Sequence, residues 1–199
     1  MIDVQVIRGN QIGNQSMMTD MFQLRHEVFE NRLGWSVESS NGLEMDKYDG
    51  LDPVYMAAKN TEEKLQGCWR MLPTDGPYMM RDIFPELAAG ESIPNKNNIW
   101  EISRWASVAC ESDLRAQAHA NETTLELIKT AYDFAVENNI DHYIVVTSVA
   151  MERLVKRLGL PVRRFGNKSS TQLGNVLSVA LWVDINEQFH QIVYPSKVA

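Results

Sequence analysis

IWEISRWASV, residues 99–108, reads as a β-strand, yet it carries two charges, Glu101 and Arg104, inside the run. The alternation of elements downstream of it decides the fold. NETTLELIKTAYDFAVENNI (121–140) has helical spacing, with Leu125, Ile128, Tyr132 and Ala135 on one face. HYIVVTS (142–148) is a buried strand, AMERLVKRLG (150–159) a helix closed by Gly159, and VLSVALWVDI (176–185) a long last strand. Upstream, residues 3–8 form a short strand. SMMTDMFQLRHEVFENRLG (16–34) is an amphipathic helix with Met18, Met21, Leu24, Val28 and Phe29 apolar and Gly34 closing it. Residues 35–53 are polar and irregular. VYMAAK (54–59) and QGCWRMLP (66–73) make a hairpin through a polar turn, and a short helix covers 79–89. A helix, antiparallel strands and then β-α-β-α-β predict an α+β fold with a mixed sheet.

At 199 residues and 44% hydrophobic side chains, the chain is long enough for one globular domain spanning 1–199. No apolar run approaches a membrane span, and MIDVQVIRGN lacks the pattern of a signal peptide, so the expectation is a cytoplasmic protein with no membrane partner. Cys68 and Cys110 lie in strand-like sequence without metal-ligand spacing, so buried reduced thiols and no metal are expected. The net charge of −7 argues against nucleic acid as a partner. The charge is uneven, however. MERLVKRLGLPVRRFGNK (151–168) sets six cations, Arg153, Lys156, Arg157, Arg163, Arg164 and Lys168, against Glu152. Such an island is either a solvated face or a dock for an acidic partner or a phosphate.

Charges inside strands are costly unless paired. Arg70 lies within GCWRML, and strict alternation puts Glu101, Ser103 and Trp105 on one face with Arg104 on the other. A bulge would be needed to bring Glu101 and Arg104 together. Two readings stand: a structural Glu–Arg pair between strands, or a polar cleft facing a ligand. Arg25 and Phe29 share a helix face at i,i+4, and Trp35 comes directly after the closing glycine. Next comes NGLEMDKYDG (41–50), with Asp46 and Asp49. Aromatic residues beside two carboxylates suit a sulfonium or ammonium group.

The set R-x3-F-x5-W (Arg25, Phe29, Trp35), E-x-D-x2-D (Glu44, Asp46, Asp49), GCWR (67–70), LPTDGPYMMRDIFPEL (72–87) and WEISRWA (100–106) resembles the bacterial autoinducer synthases, the acyl-homoserine-lactone synthase family. The resemblance continues through VVTSVAMERLVKRLGLPVRRFG (145–166) and INEQF (185–189). It implies an α/β/α sandwich like that of the N-acetyltransferases, whose mixed sheet is split into a V between central strands. It also implies two substrates, S-adenosylmethionine and a fatty acyl thioester carried on acyl carrier protein. S-adenosylmethionine is consumed, so no cofactor is expected. Arg25, Phe29, Trp35, Asp46, Asp49, Arg70, Glu101 and Arg104 match the family's active-site positions.

In the implied reaction the methionyl amine attacks the thioester. Its carboxylate then attacks its own γ-carbon, expelling 5′-methylthioadenosine and closing a lactone. The amine must lose a proton, a role given to Glu101. Backbone N–H groups near Ser103 and Trp105 are the expected oxyanion donors, and Arg25 or Arg104 would hold the carboxylate. Asp46 and Asp49 would position Arg25, Arg70 or the ligand amine. ESDLRAQAHANET (111–123) stands where acetyltransferases bind the coenzyme A pyrophosphate, and it has no glycine, which favours acyl carrier protein over acyl-CoA. Arg153, Lys156, Arg157, Arg164 and Lys168 would then dock the carrier. Val145 stands where family members preferring 3-oxo chains often have threonine, so an unsubstituted chain is expected, lined by Met79, Trp105, Val145, Thr147, Leu154 and Leu177. The competing readings are an N-acyltransferase for another small amine and a non-catalytic module that binds carrier protein.

Overall fold

The structure is a computed structural model that describes residues 1–9, 15–88, 90–108, 114–166 and 170–195, with the side chains of 114–121 excepted. In chain order the elements are β1 (Asp3–Arg8), α1 (Gln15–His26), β2 (Ser39–Ser40), β3 (Leu43–Glu44), β4 (Val54–Lys59), β5 (Leu65–Pro73), α2 (Met79–Ile83) and β6 (Ile99–Ser107). They continue with α3 (Leu114–Glu137), β7 (His142–Ser148), α4 (Val149–Arg157), β8 (Val162–Arg164), β9 (Thr171–Leu173), β10 (Val176–Asp184) and α5 (Glu187–Val193). The chain forms two compact units, the first from Met1–Met71 and Arg104–Thr130, the second from Leu72–Ser103 and Ala131–Ala199.

In the first unit β4 is the middle strand. It pairs antiparallel with β1, from Asp3↔Lys59 to Arg8↔Val54, and with β5, from Val54↔Met71 onward. Ile7, Tyr55, Ala57 and Cys68 bury one face of these strands against Met17, Met21, Phe22, Val28 and Phe29. Burial pushes the Cys68 thiol up to about 12, which makes it inert, whereas Cys110 lies outside the described residues. The helix expected over 16–34 is shorter and inwardly different. α1 stops at His26 and continues as a π-helical turn over Glu27–Arg32. There the Leu33 N–H reaches back five residues to the Val28 carbonyl at 3.0 Å, and Gly34 ends the turn at φ +65°. The wider turn absorbs a residue, so Val28 and Phe29 both point inward; Met17 and Phe22 are buried, while Met18 and Leu24 are only half-buried.

In the second unit β6 and β7 are parallel, from Ile99↔His142 to Ile102↔Val145. The pairing stops there although β7 runs on to Ser148, as the expected split requires. β10 lies antiparallel to β7, and its other neighbours are β8 and β9, two short strands that the sequence reading missed. Tyr78, Met80, Ile99, Ile144, Phe165 and Ala180 form the core. A mixed, mostly antiparallel sheet that includes a parallel pair, β6 with β7, is what the element order predicted.

Of the residues expected on the inward face of α3, Ile128 and Ala135 are buried and Tyr132 is half-buried, but Leu125 is 40% exposed; Thr124 and Leu127 are buried in its place. Among the described residues no helix is long and apolar enough to cross a membrane.

At Gly67, β5 lies close against α3 and β6. A Cβ there would meet Thr123 Cγ2 at 3.1 Å and the Ala106 carbonyl at 3.3 Å. Gly67→Ala is therefore expected to cost about 1–3 kcal/mol by urea denaturation, from overpacking. Gly76→Ala, with open space around its Cβ, serves as the control and should be much milder.

Candidate functional site

The site in the first unit is assembled by NGLEMDKYDG. Asn41 and Gly42 take φ +53° and +76° and reverse the chain between β2 and β3, pairing Ser39 with Glu44. Asp46 then caps a 3₁₀ turn over Lys47–Gly50. Its Oδ1 accepts the Tyr48 N–H at 2.9 Å, and Asp49 Oδ2 accepts the Asp46 N–H at 2.8 Å. One hairpin and one capped turn thus fix three carboxylates, Glu44, Asp46 and Asp49.

Three arginines meet them in a closed ring. Arg25 donates from Nε to Glu44 Oε2 at 2.5 Å and from both terminal nitrogens to Asp49, at 2.8 and 2.9 Å. Arg70 donates to Asp46 at 2.5 and 3.1 Å and lies 2.9 Å from Asp49. Arg104 donates from Nε to Glu44 at 2.9 Å and lies 2.8 Å from Asp46. Each carboxylate therefore bridges two arginines and each arginine two carboxylates, with charges alternating around the ring. The side chains of Arg70 and Glu44 are 0% exposed and that of Arg25 is 1% exposed, whereas Arg104 is 9% exposed.

This geometry sets the electrostatics. Burial pulls the Arg25 guanidinium down, but Asp49 and Glu44 outweigh it and raise its pKa. Burial also opposes ionisation of Asp49, and there the hydrogen bonds and charge of Arg25, with Arg70, win and hold the carboxyl well below the usual range. For Arg104 burial prevails over Glu44 and Asp46 and its pKa falls. The Tyr55 hydroxyl donates to Asp49 Oδ1 at 2.7 Å; burial, then Asp49, push its pKa up, so it stays a donor.

Aromatic rings cover these charges. Phe29 lies 5.4 Å under the Arg104 guanidinium and stacks on Trp35 at 5.3 Å and 19°. The buried Tyr48 ring faces Arg70 at 5.4 Å and Lys47 at 5.0 Å. Arg104 itself adopts φ +55°, a strained conformation for a side chain this size, so the strand is kinked at that residue. Trp105, half-buried, meets Trp69 edge to face at 5.4 Å.

In the second unit Glu101 is 1% exposed, and its two oxygens accept the backbone N–H groups of Met79 at 2.9 Å and Met80 at 2.7 Å. These are orphan donors at the start of α2, so the buried charge sits at a helix terminus. The two charges of β6 therefore serve different partners: Glu101 holds α2, and Arg104 holds Glu44 and Asp46.

The basic segment also divides. Glu152, 3% exposed, takes Lys156 at 2.7 Å and Arg164 at 2.8 and 2.7 Å, and the Arg164 hydrogen bonds, with Lys156, hold its pKa down at about 2. Arg163 pairs with Glu91 at 2.9 Å. Arg153 and Arg157 are exposed, and Lys168 lies outside the described residues. Of the expected chain-lining side chains, Met79 is buried, Val145, Thr147 and Leu154 are half-buried, and Leu177 is 47% exposed.

A family model described as autoinducer synthase matches residues 10–192. The chain belongs to the autoinducer synthases. The acyl-homoserine-lactone synthase of Aliivibrio fischeri (strain ATCC 700601 / ES114) is 40% identical over 173 residues, 87% of this chain and 89% of that one. The crystal structure of the AHL synthase LasI is 33% identical, with a TM-score of 0.86 over 98% of this chain and 95% of LasI. BjaI, a CoA-dependent acyl-homoserine lactone synthase solved with SAM and isopentyl-CoA, is 26% identical at TM-score 0.82 over 98% and 92%. A protein described as an N-acetyltransferase from Lactobacillus plantarum, 11% identical at TM-score 0.57 over 92% and 99%, shares the fold alone. The chain is thus an acyltransferase of the acyl-homoserine-lactone synthase family.

Sequence reasoning on the autoinducer synthase found five of the six ring members as site residues; it quoted Glu44 in a motif but gave it no role. A glutamate two residues after an Asn-Gly turn was the available signal. Tyr55 and Tyr48 were also missed as partners of the ring.

The Asp49 pKa lies below its ordinary value of about 4. Its stabilisation is therefore complete above that pH and is lost as the pH falls through the folded value. Asp49→Asn is expected to cost about 3–5 kcal/mol at neutral pH and to flatten the stability profile below about pH 4. Arg163→Ala, which breaks an exposed pair, should cost less than about 1 kcal/mol. Urea midpoints measured from neutral to acid pH compare the two, and equal costs would remove the ring's structural role.

Proposed function

We propose that this autoinducer synthase transfers a fatty acyl group from acyl carrier protein to the amine of S-adenosylmethionine and closes the product to a homoserine lactone, releasing 5′-methylthioadenosine. The observation that carries the reading is the ring of Arg25, Glu44, Arg104, Asp46, Arg70 and Asp49, covered by Phe29 and Trp35. A methionyl group bears an ammonium, a carboxylate and a sulfonium. Alternating fixed charges supply a partner for each of the first two, and the stacked aromatic faces suit the third.

Within this reading Arg104, the most exposed arginine of the ring, takes the substrate carboxylate and holds it for attack on the γ-carbon. The sulfonium needs no activation as a leaving group. Asp46 and Asp49 hold arginines and do not act as acids. Glu101, fixed by two N–H groups, removes the ammonium proton through a water, and the N–H of Trp105, directly after the Arg104 kink, receives the oxyanion.

The donor is the finer choice, because BjaI is CoA-dependent. Two features favour acyl carrier protein here. The stretch 111–123 contains no glycine, and α4 presents Arg153 and Arg157, one turn apart and exposed, to an acidic partner. Lys156 and Arg164 are committed to Glu152 and are the weaker docking candidates.

Chain-matched thioesters of acyl carrier protein and CoA, incubated with S-adenosylmethionine and followed by mass spectrometry, test the whole reading. Lactone and methylthioadenosine should form together, faster from the carrier-bound donor; acylated amine without methylthioadenosine would indicate a simple N-acyltransferase. Glu101→Gln should lower kcat by about 100-fold or more. Reversing Arg153 and Arg157 to Glu should raise KM for the carrier-bound donor at least about tenfold, while KM for an acyl-pantetheine barely moves. A uniform rise for both donors would refute the docking surface.

A further inference from the structure

The indole of Trp69 is 2% exposed, and among the described residues its Nε1, like that of the half-buried Trp35, has no hydrogen-bond partner. Such an orphan is uncommon, because a buried donor left unmade costs more than an ordinary hydrogen bond gains. The tryptophans of the second unit show the usual arrangement: Trp100 Nε1 donates to the Asn97 carbonyl at 2.9 Å, and Trp182 Nε1 to Asp184 at 2.9 Å.

The strand says which kind of ligand the Trp69 N–H can serve. Cys68 and Arg70, its neighbours in β5, lie on the face that carries the ring and the α1 core. Trp69 therefore points to the other face, as does Gly67, whose missing Cβ would touch Thr123 and Leu127 of α3. On that face Leu127 and Met71 are 0% exposed and Trp105 meets the Trp69 ring edge to face, so the surroundings are apolar. A charged methionyl group has its partners on the opposite face. An oxygen carried on a hydrocarbon chain suits these surroundings.

We propose that the Trp69 indole N–H donates a hydrogen bond to an oxygen of the acyl thioester, either the thioester carbonyl at C1 or a 3-oxo oxygen. The assignment rests on the reading that this chain uses an acyl thioester. Trp69 is then a residue that reads the acyl donor.

Trp69→Phe keeps an aromatic ring and deletes the donor. kcat/KM is measured for wild type and variant with octanoyl and 3-oxo-octanoyl carrier protein. A drop of about five- to twentyfold is expected: confined to the 3-oxo donor if C3 is read, shared by both if C1 is read. A second measurement needs no variant fold: in the 15N spectrum of the wild-type indoles, with the Trp69 resonance identified, an unreactive acyl-pantetheine amide should shift that N–H downfield, and S-adenosylmethionine alone should not. A variant that turns over both donors within twofold of wild type, or an indole resonance that stays in place, overturns the proposal while leaving the synthase reading intact. Wild-type protein that makes no lactone from any donor overturns both.

Discussion

Six charges closed into a ring govern the first unit. Any one of the three arginines, buried alone, would be prohibitive, and a single buried ion pair gains little over apolar packing. Sharing changes the balance, because each carboxylate is desolvated once and satisfies two guanidinium groups. The ring also draws its members from four segments: α1, the stretch 43–49, β5 and the end of β6. The Asn-Gly turn, the Asp46 cap, the π-helical turn after α1 and the kink at Arg104 are local distortions that place those members. Strain at Arg104 persists because its side chain is held by two carboxylates.

Much of this was legible in the sequence, and the limits have physical causes. Strand and helix order came from periodicity, which long elements such as β5, β6 and β10 express strongly. β8 and β9, three residues each, are too short to show a period. α1 was read too long because a π turn keeps the helical pattern while changing the hydrogen-bond step. Leu125 misled because its hydrophobicity fits the stripe and its position does not. Of the site, charged residues between tryptophans in strands marked Arg70, Glu101 and Arg104, and the motif resemblance marked Arg25, Phe29, Trp35, Asp46 and Asp49. Pairing was beyond reach, since which carboxylate meets which arginine depends on two hairpins at once. Glu44 went without a role for that reason, and Lys47 and Tyr48, unexplained in sequence, turn out to stack with Arg70 as a cation–π group.

The second unit uses carboxylates differently. Glu101 is bound by two main-chain N–H groups and Glu152 by two side-chain cations, so one anchors a helix start and the other gathers a lysine and an arginine. The positive segment that looked uniform in sequence is therefore two populations: Lys156, Arg163 and Arg164 are matched by acids, and Arg153 and Arg157 extend to solvent. Counting charge along one segment overstates the field at its surface when an acid from elsewhere in the chain, here Glu91, pairs with it.

Three positive and three negative groups sum to zero, and they alternate. A closed alternating arrangement has neither a net charge nor a large dipole, so its potential decays within a few ångströms, far faster than that of a single ion. From outside, the ring itself adds little to the field. Whatever draws a charged molecule from a distance must come from the rest of the protein, and the ring's own charges are felt only near contact. Selection then falls to the spacing of opposite charges within one small molecule, and bulk salt has little to screen.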